Sequence, residues 1–136
     1  MSMPVIDACV AIKWFLPERG HEVAVEILKN HNNMIAPDLF FIEMDAIITK
    51  KVRQRLIDLE DAKKMHEETR NFPIKIIPYS TISEIAFDLS SGLSINLYDA
   101  CYLAVGIEFD QKIFTSDKRF FNGMKNTPFG HHLEYV

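Results

Sequence analysis

The chain has 136 residues, 48% of them hydrophobic and 25% charged, with a formal net charge of −4. That balance suits one soluble domain over residues 1–136, with no low-complexity segment or internal repeat, and it argues against a general nucleic-acid coat protein while leaving room for local basic patches and a cation-collecting site. Cys9 and Cys101 form neither a disulfide framework nor a zinc-ligand pattern and read as small core residues in a reducing, cytoplasmic setting.

From Met1 to Ile12 the only charge is Asp7. With Lys13 it interrupts a run that no basic region precedes, which argues against a secretory signal. Pro4–Ile6 reads as a strand, and Asp7 follows it directly. A lone carboxylate among apolar residues is costly to desolvate unless it has a partner, a metal or a job. Capping a helix predicted over Val10–Leu16 is the simplest such job. A helix over His21–Asn30 and a strand over Met34–Ala36 follow.

The next helix, Leu39–Arg55, contains "DLFFIEMDAIITKK". Glu43 stands in a row with Leu39, Phe40, Ala46 and Ile47, whereas Asp45 shares its row with Thr49 and Arg53, so Glu43 is the inward acid. Leu59–Asn71 completes a helical hairpin whose amphipathic faces could serve an interface or the core. Ile74–Ile77 reads as a strand and Ile82–Ser91 as a helix. Asp38, Asp58, Asp117 and Ser80 with Glu84 are candidate caps or first-turn residues.

Between Leu89 and Ile107 the only charge is Asp99. Ser90, Ser91, Gly92, Ser94 and Asn96 leave an apolar run about half as long as a membrane span requires, so a buried helix over Tyr98–Glu108 is expected and no membrane association. The helix dipole explains why an acid is tolerated at Asp99, but not why one is chosen. A strand over Lys112–Thr115, a short helix over Lys118–Lys125 and a strand over His132–Val136 end the chain, with Asp117 placed as an N-cap.

Strands alternating with helices predict parallel pairing through right-handed crossovers, giving an α/β fold: a three-layer α/β/α sandwich with a central parallel sheet. Ligands of such sheets gather at the carboxyl ends of the strands, where Asp7 and Asp117 both emerge. If Asp7, Glu43, Asp99 and Asp117 converge there, their mutual repulsion demands a cation. Magnesium and manganese prefer all-oxygen ligands, which matches a cluster without histidine or cysteine partners and favours phosphoryl chemistry. The five histidines form no zinc motif, and there is no GxSxG or Gly-rich phosphate loop.

Four segments in register, "VIDACVAIKWF", "APDLFFIEMDAI", "LYDACYLAVG" and "IFTSDKRF", make the chain resemble the PIN-domain nucleases, and within them the VapC-type toxins of toxin-antitoxin pairs, along nearly its whole length. The resemblance implies a PIN-like sheet and a pocket in which Asp7, Glu43, Asp99 and Asp117 bind one or two Mg2+ or Mn2+ ions, supported by hydrogen bonds from Thr115 or Ser116. It also implies a homodimer and a small antitoxin partner. The chain departs from the family pattern at Cys9, where Ser, Thr or Asn is common, and at Ala46, where a polar residue is common.

The expected chemistry is metal-assisted hydrolysis of an RNA phosphodiester, the bound ions activating a water and neutralising charge on the phosphate. Lys13, the "KKVRQR" run, Lys118 and Arg119 are the candidates for drawing RNA toward an acidic pocket. Trp14, Phe15 and Phe120 are possible base-stacking residues, although aromatics at helical spacing more often serve the core. A catalytically weak PIN-fold binding module is the alternative reading. A phosphorylated receiver domain fits poorly, because it needs an acidic pair after the first strand and an acceptor after the third.

Overall fold

The computed structural model describes residues 2–136. Its five strands are β1 (Val5–Ile6), β2 (Met34–Pro37), β3 (Ile74–Ile77), β4 (Ile113–Thr115) and β5 (Leu133–Tyr135). All pair in parallel, in the spatial order β3-β2-β1-β4-β5. The helices are α1 (Ala8–Ala11), α2 (His21–Asn30), α3 (Phe40–Arg53), α4 (Leu59–Thr69), α5 (Tyr79–Gly92), α6 (Leu97–Phe109) and α7 (Lys118–Met124).

Strand alternation sorts the side chains into two cores. Val5 and Ile35 face one side, where they pack with Ile82, Ala86, Leu103, Phe120 and Met124 from α5, α6 and α7. Ile6, Met34 and Ala36 face the other, against Val10, Ile27, Phe40, Met44 and Met65 from α1 to α4. The three-layer α/β/α sandwich with a parallel sheet expected from the sequence is therefore present. Among the described residues no helix is long and apolar enough to cross a membrane.

The strand order places the functional region. From β1 the chain moves outward through β2 to β3, then returns over the other face to β4 on the opposite flank of β1. Crossovers thus diverge between β1 and β4, opening a crevice at their carboxyl ends. In register, Val5 pairs with Ile113 and Ile6 with Phe114, so the next residues, Asp7 and Thr115, stand side by side.

Helix α6 is buried on all sides from Ala100 to Gly106, as the uncharged sequence predicts. A Cβ at Gly106 would lie 2.6 Å from Ile113 Cδ1, so only glycine lets α6 settle this closely on β4. Asn96 caps the helix by accepting from the Asp99 N–H at 2.8 Å.

Some local expectations need correction. The predicted Val10–Leu16 helix is a single α turn, α1, followed by a 3-10 turn over Ile12–Trp14. Asp58 and Asp117 are N-caps as expected, but Asp38 does not cap α3: its Oδ2 accepts from the Tyr79 N–H at the start of α5. Ser80 lies inside α5, which begins one residue earlier behind Pro78. Proline fits there because its fixed φ suits a helix entry.

Candidate functional site

Asp7, Glu43, Asp99 and Asp117 line one cavity of about 230 Å³, together with Ala8, Cys9, Ala46 and Ile47. Each acid arrives on a different element: Asp7 from the end of β1, Glu43 from the first turn of α3, Asp99 from the first turn of α6, and Asp117 from the start of α7. Asp99 and Asp117 also wall a smaller neighbouring cavity of about 130 Å³ with Ser94, Asn96 and Arg119.

Asp7 is 7% exposed. Its Oδ2 accepts from Thr115 Oγ1 at 2.9 Å, and its Oδ1 accepts from the Cys9 N–H at 3.4 Å, so the capping role and the cavity position coexist in one side chain. The Thr115 hydroxyl also accepts from the Asp117 N–H at 3.0 Å. Because its single proton is committed to Asp7, the 3.7 Å contact with Cys9 Sγ must have the thiol as donor. Cys9 Sγ in turn accepts from the Ser116 N–H at 3.2 Å. One buried hydroxyl therefore links the ends of β1 and β4, and Cys9, in place of a hydroxyl or amide, still joins the network. Ser116 contributes only its backbone, since its own hydroxyl donates to the Val136 carbonyl at 3.2 Å.

Glu43 Oε1 accepts from the Tyr102 hydroxyl at 2.6 Å. Asp45, the rejected alternative, faces away and pairs with His66 Nδ1 at 2.7 Å. Among the described residues the Asp99 carboxylate has neither an ion pair nor a hydrogen bond.

The electrostatics follow from this crowding. Burial pushes the Asp7 carboxyl up to about 6, against hydrogen bonds from Thr115 and Cys9 that pull it down. Asp99 also rises to about 6, through burial and then through Asp117 and Glu43, with Arg119 opposing. Glu43 is raised by burial, with Asp7 and Asp117 adding to the effect and the Tyr102 hydrogen bond opposing it. The Cys9 thiol is pushed far up by burial and by Asp7, so it stays protonated. The cavity holds more negative charge than its surroundings neutralise, on hard oxygen donors, a combination suited to magnesium or manganese rather than a thiophilic metal. Among the described residues no three acidic, histidine or cysteine side chains already converge on one ligation point.

The basic candidates divide. Arg119 borders the smaller cavity, and Lys118 and Arg119 are both exposed on α7. Lys13 lies off the acidic cavity, with its Nζ beside Gly20. In the "KKVRQR" run, Lys51 pairs with Glu18 at 3.2 Å. The aromatic candidates are structural: Trp14 and Phe15 pack on Phe72, and Phe120 is buried in the core. Sequence reasoning missed Tyr102. The available signal was a hydroxyl in an otherwise apolar, buried helix, three residues after Asp99, where it needs a partner.

A PIN domain family model matches residues 5–124. Ribonuclease VapC3 of Pyrobaculum aerophilum is 26% identical over 117 residues, covering 85% of this chain and 89% of that protein. In structure, the chain is similar to a toxin-antitoxin complex from Klebsiella pneumoniae, with a TM-score of 0.66, 18% identity and coverage of 98% of this chain and 95% of the other. It is likewise similar to the sarcin-ricin loop cleaving toxin VapC20 of Mycobacterium tuberculosis, with a TM-score of 0.67, 12% identity and coverage of 86% and 92%.

Proposed function

Because this chain belongs to the PIN-domain family, we propose that it is a metal-dependent endoribonuclease and the toxin member of a toxin-antitoxin pair. The observation that carries the reading is the meeting of Asp7, Glu43, Asp99 and Asp117 around one cavity at the divergence of the crossovers. The ribonuclease named among its relatives and the toxin-antitoxin complex among its structural neighbours support the substrate class and the antitoxin partner. A homodimer is part of the same reading.

Asp7 and Asp99 are the principal cation ligands, and Glu43 and Asp117 complete the site. When bound, Mg2+ or Mn2+ supplies an activated water and neutralises charge building on the phosphate. Thr115 holds Asp7 against rotation, so that one carboxylate orientation faces the cavity. The Asp117 side chain, tied through Oδ1 to the Phe120 N–H at 3.1 Å, keeps Oδ2 available. Lys118 and Arg119 draw the phosphate backbone toward an otherwise repulsive cavity. Ala8, Cys9, Ala46 and Ile47 form the remaining wall.

The test is cleavage of structured and unstructured RNAs by purified protein with Mg2+ or Mn2+, beside Asp7→Asn, Asp99→Asn and a chelator control. Cutting by the unaltered protein alone, abolished by chelation, is expected. Equal cutting by the substituted proteins defeats the proposal. Absence of cleavage on every RNA, with retained binding of a partner protein, favours the binding-module reading.

A further inference from the structure

The cavity acids differ in how they are held. Asp7 is fixed by Thr115 and Cys9, and Asp117 by the first turn of α7. Glu43 has the longest side chain of the four and lies on a helix whose neighbouring residue, Ile42, is 72% exposed. Without restraint its carboxylate can swing toward water, where it escapes the repulsion of Asp7 and Asp117. Its one hydrogen bond among the described residues comes from Tyr102.

Tyr102 is 1% exposed, and a phenylalanine would occupy its place without a buried hydroxyl in need of a partner. The hydroxyl reaches across the molecule: Tyr102 belongs to the core beneath α5 to α7, and Glu43 stands on α3, whose apolar side packs in the other core. A phenol has one proton to donate. That proton is directed to Glu43 Oε1, and Glu43 Oε2 is left uncommitted.

We propose that Tyr102 is the positioning residue that holds Glu43 in the acidic cavity for cation capture. The inference rests on the nuclease reading to the extent that Glu43 is a cation ligand. Losing an outer partner of a ligating group typically weakens metal binding roughly ten- to a hundredfold.

The test measures Mn2+ alone binding to the full chain, followed by electron paramagnetic resonance of the free ion, for wild type, Tyr102→Phe, Glu43→Ala and the double variant. Tyr102→Phe should bind Mn2+ about tenfold more weakly with an unchanged circular dichroism spectrum. In the Glu43→Ala background it should cause no further loss, because Tyr102 acts through Glu43. Unchanged affinity in Tyr102→Phe, or the same fractional loss in both backgrounds, overturns the assignment. Fluorine NMR of 3-fluorotyrosine-labelled protein gives a reading that needs no Phe variant. The Tyr102 signal should move on addition of Mg2+ and stay still in Glu43→Ala, and a signal that ignores a cation demonstrably bound overturns the role. A wild type that binds no divalent ion defeats the nuclease reading itself, a result separable from the others.

Discussion

Asp7 and Thr115, 108 residues apart in sequence, are joined by a 2.9 Å hydrogen bond between neighbouring strand ends. Thr115 is fully buried, and its hydroxyl also receives the Asp117 N–H. Thr115→Val keeps the shape but removes a bond that lowers the Asp7 pKa and orphans a backbone donor, at a cost of about 1–3 kcal/mol. We expect Mn2+ affinity and RNA cleavage to fall roughly ten- to a hundredfold, with Thr115→Ser close to wild type. Calorimetric titration and a cleavage time course check this, and equal behaviour of Val and Ser would contradict it.

Asp7→Asn should separate stability from function. In Asp7 a shift from 3.8 to about 6 corresponds to roughly 3 kcal/mol of disfavoured ionisation at neutral pH. Asparagine keeps the size, and its single acceptor oxygen can retain the 2.9 Å bond from Thr115 while giving up the longer 3.4 Å one from Cys9. The metal-free variant should therefore melt several degrees above wild type at pH 7.5 while losing divalent-ion binding and cleavage. A lower melting midpoint would show that the carboxylate is not a source of strain.

That exchange explains what the sequence could and could not disclose. Strand alternation at Val5 and Ile6, the apolar row around Glu43 and the uncharged stretch around Asp99 each report burial, which is why the layers and the acids were legible. Direction was harder to read. Whether Lys13 reaches the cavity, whether Asp38 caps α3 or α5, and which group faces Glu43 all depend on contacts between segments distant in sequence. Tyr102 escapes sequence reasoning for this reason: periodicity records that a side chain is buried, and cannot record that its hydroxyl meets a carboxylate 59 residues away.

Stability should depend on pH in a definite direction. Asp7 and Asp99 titrate near 6 in the folded chain and near 3.8 without the fold. Between those values the folded state holds more protons than the unfolded one, so their contribution to stability grows as pH falls through about 6 and levels off below 3.8. The metal-free protein should melt higher at pH 5 than at pH 7.5, and the Asp7→Asn variant should show a smaller difference. Added Mn2+ should raise the midpoint more at pH 7.5, where the carboxylates are ionised. Differential scanning fluorimetry at both pH values is sufficient, and identical Mn2+ effects at the two would count against carboxylate ligation.

Arg119 offers a test of how an acidic cavity meets a polyanion. Among the described residues it makes no ion pair, yet its charge lowers the Asp99 pKa from the wall of the adjoining cavity. Two consequences follow from removing it. Losing one phosphate contact should reduce the slope of log affinity against log salt by about 1, irrespective of RNA sequence. Losing the nearby cation should also raise the Asp99 pKa further, moving the acid limb of the cleavage profile to higher pH. Arg119→Gln should show both effects and Arg119→Lys neither. A shifted pH limb with an unchanged salt slope would mean that Arg119 tunes the carboxylates without touching RNA, leaving phosphate capture to Lys118.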